Sequence, residues 1–490
     1  MVRSLRTCGF VAGLWIVTAG ALSETTAAQG KKTTQAEHGQ QLFEHVWESG
    51  HGADAGGDGL GPLFNERSCI ACHRMGGIGG AGPNENNVTI LTAVVPENVP
   101  DKDLFQARLA VLHPGLANDT SVVLHQFSTD PVAYRSFCES LLGPDARHGG
   151  DPVLQVVSTR VIVRKESQGP TRVIEVDGTT LLLAQRNTTP LFGMGLIDSI
   201  PQAAIVAAAA IETSENPRVH GRFLGRFGWR GQMITLKEFV RGACAAELGL
   251  QVSTAAQAVD PVAAPAPQPA IKQLDLTDRQ CDEMTSFVGR LPAPRRLQPA
   301  DHQQAAAVRE GEQFFRSVGC AVCHRPKLGN VKGIYSDLLV HAMGSQLVDP
   351  MPAPLSLAVA AATGPRASSY YGGGSAPTVS PPAVDSYTRL QEWKTPPLWG
   401  LRDSAPYLHD GRAQTVEEAI VCHAGEAADS VDRYLALSTN ARTRLLAFLA
   451  TLAAPDPASL PKLKATDDRL PVPAKPRKRQ PAPGFAAASL

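Results

Sequence analysis

The sequence predicts a mainly α chain of two similar units in tandem, with a small β meander inserted in the first. Three observations carry that prediction. The run Cys69-Ile70-Ala71-Cys72-His73 returns as Cys320-Ala321-Val322-Cys323-His324, so a C-x-x-C-H motif stands in each half. A Gly-x-x-x-Phe segment of helical spacing precedes each motif, Gly39 to Phe43 and Gly311 to Phe315. From Val153 to Gln185 the pattern changes to β-branched and apolar bursts separated by turn dipeptides.

Taken in order, the chain opens with Arg3 and Arg6, an apolar stretch from Gly9 to Gly20, and small residues at Ala21-Leu22-Ser23 and Thr26-Ala27-Ala28. This is the layout of an export signal over residues 1–28. The apolar stretch is short for a membrane span and no later one replaces it, so a periplasmic protein with no stable span in the mature chain is expected. An uncleaved N-terminal anchor is the alternative. The first unit covers residues 36–250, with the β insertion near 153–185. Its strands are placed at Val156-Val157, Val161-Ile162-Val163, Val173-Ile174 and Leu181-Leu182-Leu183, broken by Gly169-Pro170 and Asp177-Gly178.

Residues 251–300 read as a linker and a connecting helix: Thr254 to Pro269 is rich in Ala, Pro and Gln, and Asp275 to Leu291 regains helical periodicity before Pro292-Ala293-Pro294. The second unit covers 301–452 and contains a long loop, Met351 to Val384. A Pro- and Lys-rich tail, 453–490, is expected to be disordered. Two further echoes support the duplication: Thr188 to Gly193 answers Thr395 to Gly400, and Gly231 to Glu238 can be laid over Gly411 to Glu418.

C-x-x-C-H is the attachment sequence of a c-type haem. Thiols three residues apart sit about one helical turn from each other and can form thioethers with the two vinyl groups of one macrocycle, while the adjoining His reaches the iron. Two covalently bound haems are therefore expected, on Cys69, Cys72, Cys320 and Cys323, with His73 and His324 as iron ligands. Zinc is the rival occupant of such residues but leaves the cytochrome-like surroundings unexplained. The 46 Lys and Arg balance the 46 Asp and Glu among 490 residues, so nucleic acid is not a suggested partner. Cys138, Cys244, Cys281 and Cys422 remain, as disulfides in one of three pairings or as buried thiols.

Gly57 to Asn65, Lys394 to Asp403 and Pro406-Tyr407-Leu408-His409-Asp410-Gly411-Arg412 resemble the di-haem oxidoreductases, some labelled thiol oxidoreductases, which are similar in turn to bacterial di-haem cytochrome c peroxidases. The resemblance runs from about Gly39 to Leu452 and implies two cytochrome c-like domains. In the peroxidases, one haem transfers electrons and carries a second protein ligand, while the other meets peroxide. The ligand is usually a Met shortly after the His-Asp-Gly motif; here His423 stands at that point, with Met343 as runner-up. The equivalent of His423 in the first unit is Ala243, which cannot bind iron. His125, then His113, are alternative ligands there.

The resemblance also places Glu238 at the peroxidase acid/base, after Phe227-Gly228-Trp229-Arg230-Gly231, against the plainer reading of a solvated helix carboxylate. Trp229 is a candidate for passing electrons between haems or for packing. His409, Asp410, Arg402 and Arg412 are candidate propionate or ligand-loop anchors. The implied function is a periplasmic peroxidase-like oxidoreductase, fed by a small electron-donor protein through the second haem and reducing hydrogen peroxide or a related oxidant at the first. Calcium between the units is a further implied cofactor. A non-catalytic electron carrier and an oxidase of a protein or thiol partner are the alternatives.

Overall fold

The structure, a computed structural model, describes residues 34–50, 56–96, 99–117, 119–143, 161–164, 172–255, 257–263, 273–348 and 391–463. The export signal, Val156-Val157 and the loop Met351 to Val384 lie outside the described residues. From Gln35 onward the described residues fall in one compact unit.

Helices dominate. In the first half they are α1 (Gln35–Glu44), the single turn α2 (Cys69–Cys72), α3 (Lys102–Leu112), α4 (Pro131–Leu142), α5 (Met194–Asp198), α6 (Gln202–Glu215), α7 (Leu236–Leu248) and α8 (Asp278–Gly289). The second half adds α9 (His302–Ser317), α10 (Val416–Val421), α11 (Ala428–Leu435) and α12 (Thr439–Leu449). Among the described residues, no helix is long and apolar enough to cross a membrane.

The two Gly-x-x-x-Phe segments cross their partner helices in the same way. Gly39 of α1 lies so close to α8 that a Cβ there would collide with the Glu283 carbonyl oxygen, and Gly311 of α9 meets the Arg444 carbonyl of α12 in the same way. Phe43 then packs on Phe287 at 5.2 Å between ring centres, and Phe315 on Phe448 at 5.3 Å. The glycine of each Gly-x-x-x-Phe segment thus permits a close helix crossing, and the phenylalanine fills it. One consequence corrects the sequence reading: α8, assigned to a connecting segment, is the packing partner of α1 and belongs to the first half.

A five-stranded antiparallel sheet lies within the first half, in the order Ser121–Leu124, Val88–Ala93, Thr179–Arg186, Arg172–Val176, Val161–Arg164. Three of the expected apolar bursts lie on its strands. The strands at Val88–Ala93 and Ser121–Leu124 were not anticipated, because their sequences lie far from the others and, apart from the half-buried Thr89, are buried throughout, without the alternation that marks a half-exposed strand. Leu91, Leu109, Leu116, Ile174 and Leu181 form the core between this sheet and its helices.

The tail is ordered further than expected. Ala453 pairs with Arg295, Arg295 Nη1 meets Asp456 Oδ2 at 2.7 Å, and Gln40 Nε2 donates to the Lys462 carbonyl at 2.7 Å. Leu460 packs against the main core beside Gly77. Residues 453–463, part of the segment read from sequence as a tail, therefore strap the second half to the first.

Candidate haem sites

The second C-x-x-C-H follows α9 directly, and its first cysteine carbonyl accepts from the His324 backbone NH at 2.9 Å. His324 Nδ1 donates to the Tyr335 carbonyl at 3.1 Å. A carbonyl can only accept, so Nδ1 carries the hydrogen and Nε2 keeps its lone pair for a metal. Burial pushes the His324 pKa down to about 4.

His423 follows α10, and its Nδ1 donates to the Ala419 carbonyl at 2.7 Å, again leaving Nε2 for a ligand. The two imidazoles face each other with ring centres 6.5 Å apart, tilted by 58°. With metal–nitrogen bonds of about 2 Å and each ring centre roughly 1 Å further on, two imidazoles sharing one iron would stand about 6 Å apart. The spacing fits. Met343 follows the strand Val340–Ala342, with its NH bonded to the Gln391 carbonyl at 2.9 Å. The next residue, Gly344, packs on Ala424 and Gly425, so the Met343 and His423 segments are neighbours.

The first site repeats this geometry on one side. Ser68 caps α2, accepting from the Ala71 NH at 3.3 Å, and His73 Nδ1 donates to the Gly80 carbonyl at 3.1 Å. Burial lowers the His73 pKa to about 4, and Phe43 lies 6.3 Å from its ring, as Phe315 lies 6.5 Å from that of His324. The other side differs. Ala243, half-buried on α7, holds the position that corresponds to His423.

Glu247 lies one turn further along α7, on the same helix face as Ala243. Its Oε2 accepts from Asn65 Nδ2 at 2.9 Å, and its charge is felt by both Cys69 and Cys72, which locates it beside the attachment turn. Burial raises its pKa to about 7, the range suited to exchanging a proton near neutrality. Sequence reasoning missed Glu247, although its i, i+4 spacing from Ala243 was a usable signal.

Glu238 is placed differently from the expected acid/base. It is exposed at the start of α7, where its Oε2 accepts from the NH groups of Ile234 and Thr235 at 3.3 and 3.0 Å, completing a capping box with Thr235. Glu418 and Thr415 do the same for α10. The shared T-x-x-E pattern is thus explained by helix capping in both halves.

His125 Nε2 donates to the Ala246 carbonyl at 3.0 Å, and His113 Nδ1 accepts from the Gly115 NH at 3.0 Å; both rings are buried. Each of these bonds holds backbone in place. Trp229 lies in a seam between the halves, its Nε1 donating to the Asn187 carbonyl at 2.9 Å. Nearby, Trp393 stacks on His409 at 3.6 Å with Arg230 over its other neighbourhood, 4.1 Å from the ring centre. Asp410 accepts from Arg412 Nε at 2.7 Å, so these two anchor one another, while Arg402 lies in the short turn Leu401–Asp403. The eight described cysteines are unbridged.

Residues 270–452 match the family model described as "Di-haem oxidoreductase, putative peroxidase". Over these residues the chain is similar to di-haem redox proteins. Among solved structures, the chain is similar to hydrazine synthase of Kuenenia stuttgartiensis, at 17% identity over 55% of this chain and 73% of that one, with a TM-score of 0.31. It is also similar to a MauG-like protein associated with microbial copper homeostasis, at 18% identity over 48% of this chain and 73% of that one, with a TM-score of 0.26. No curated protein matches the chain.

Proposed function

We propose that this di-haem oxidoreductase is a periplasmic, peroxidase-like enzyme. Cys320, Cys323, His324 and His423 would hold the second haem, which would take electrons from a small donor protein, and Cys69, Cys72 and His73 would hold the first, which would pass them to hydrogen peroxide or a related oxidant. Attachment of both haems through thioethers belongs to this reading. So does a calcium ion between the halves. The observation that carries the proposal is the asymmetry of the two sites: His324 is faced by an imidazole, whereas the matching position opposite the first motif is an alanine.

When bound, the haems supply the one-electron chemistry. The chain's own residues do the rest. His73 and His324 are each held in one tautomer by a carbonyl, His423 closes the second site, and Ala243 leaves room at the first. Glu247, rather than Glu238, is assigned the proton: it takes one from the oxidant's near oxygen and returns it to the departing one, with Asn65 holding Oε2 in place.

Electron paramagnetic resonance of the ferric protein tests the reading. One high-spin and one low-spin signal are expected, with the high-spin signal consumed by peroxide. Two low-spin signals indifferent to peroxide would sink it in favour of an electron carrier.

A further inference from the structure

Three carboxylates, Glu212 and Asp337 buried and Glu426 half-buried, gather around one imidazole, His341, beside the second C-x-x-C-H motif. His341 Nδ1 lies 2.8 Å from Glu426 Oε2; its Nε2 lies 3.1 Å from Asp337 Oδ2 and 3.9 Å from Glu212 Oε2. Glu212 and Asp337 are wholly buried and His341 nearly so. Glu426 is itself fixed, its Oε2 accepting from the His220 NH at 2.9 Å and its Oε1 from the Ala342 NH at 3.1 Å.

Glu212 is the anomaly. Neither of its buried carboxylate oxygens meets an N–H donor; reaching over from α6 in the other half of the chain, it has only Asp337, another carboxyl group, as a hydrogen-bond partner, with His341 3.9 Å away. A carboxylate in that state costs several kcal/mol unless a cation or proton joins it. Gly221 closes over the same spot: a Cβ there would come within 2.7 Å of both Glu212 Oε2 and His341 Cε1. Only a residue without a side chain fits against the cluster at that point.

We propose that His341 Nε2, Asp337 Oδ2 and Glu212 Oε2 bind one divalent transition-metal ion, separate from the haem irons, with Glu426 as the positioning carboxylate. The size is right: with bonds of about 2.0–2.1 Å, donors around a tetrahedral ion stand roughly 3.3 Å apart, and the measured separations from His341 Nε2 are 3.1 and 3.9 Å. The donor set of one imidazole and two carboxylates suits zinc, manganese or ferrous iron and argues against calcium, which takes oxygen alone. Glu426 on Nδ1 holds the ring so that Nε2 faces the ion, the carboxylate–histidine–metal arrangement. Cys323 Sγ also approaches His341, at 4.0 Å from Nδ1, but that sulfur is committed to the haem thioether.

The charges agree. Burial alone would lower the His341 pKa, yet Asp337 raises it well above its ordinary value, and burial followed by the Asp337 charge raises Glu212 to about 9. The cluster holds on to positive charge, which without metal comes from protons and with metal from the ion, so binding releases protons. Lys394, buried and facing Asp337, and Arg325, facing Glu212, supply further positive charge without donating to Glu212.

The test uses the holoprotein, with two haems counted per chain so that Cys323 is not a thiol. After chelation and desalting, calorimetric titration with Zn²⁺ is expected to show one site per chain. Glu212→Gln should weaken it at least tenfold. Glu426→Gln should weaken it by about 10–100-fold, with haem content and circular dichroism unchanged. Metal analysis of the untreated wild type should find about one equivalent of a divalent metal beyond the two irons, a reading that needs no variant to fold. A holoprotein that takes up no Zn²⁺, a Glu212→Gln variant of unaltered affinity, or uptake confined to haem-free chains would each overturn the proposal. None of these outcomes depends on whether peroxide is the oxidant.

Discussion

His423 and Ala243 stand at the same distance in sequence from two similarly capped helix starts, Ala243 within α7 and His423 just past α10, and that difference places a second imidazole opposite His324 but none from α7 opposite His73. His423→Ala is expected to turn the low-spin haem signal high-spin. The reciprocal Ala243→His should turn the other low-spin and abolish peroxide turnover. Glu247→Gln, which keeps shape and loses the proton, should cut turnover by roughly 10²–10⁴-fold, while Glu238→Gln should leave turnover intact and lower stability by about 1 kcal/mol through the lost cap. Steady-state assays and denaturant melts separate the two.

His113 and His125 add a pH dependence of stability. Burial lowers their pKa values to about 3 and about 4 from 6.5, with the neighbouring His125 also depressing His113. Below 6.5 the unfolded chain therefore binds protons that the folded one refuses. Stability contributed by the neutral rings is complete above that value and declines as pH falls towards 4, by about 1.4 kcal/mol per pH unit for each histidine. Urea titrations between pH 7 and 4 should show the decline, and His113→Asn should make it shallower.

At the scale of elements, each haem motif is delivered by a helix crossing that depends on one glycine. Gly39→Ala or Gly311→Ala would push a methyl group into a backbone carbonyl of the partner helix, and either should cost about 1–3 kcal/mol. Gly39→Ala should perturb the first haem's spectrum and spare the second. The helix and its glycine were readable from the Gly-x-x-x-Phe repeat, but the partner was not. Nothing in Asp278–Gly289 announces that it packs on α1 rather than serving as a connector, because an amphipathic face specifies burial and not the surface that buries it. The T-x-x-E pattern likewise carried two meanings, and the observed hydrogen bonds chose the cap over the acid/base.

Across the whole molecule, contacts distant in sequence join the halves. Asn187 donates its NH to the His409 carbonyl at 2.7 Å, Arg222 grips Glu392 through two bonds of 2.9 and 2.6 Å, and the segment 453–463 returns to the first half. Leu460→Ala should therefore lower overall stability by about 1–2 kcal/mol, a change measurable in the unfolding midpoint although this residue touches neither C-x-x-C-H motif.

The sequence by itself determined the two C-x-x-C-H motifs, the Gly-x-x-x-Phe segment before each and the helical class, because local chemistry and periodicity are written in residues a few positions apart. Tertiary structure alone decided that Glu247 lies beside the first attachment turn, that Glu212 crosses to Asp337 and His341, and that the tail is strapped down. Each depends on groups tens to hundreds of residues apart, and their proximity and burial, which set their proton and metal chemistry, exist only once the helices have packed.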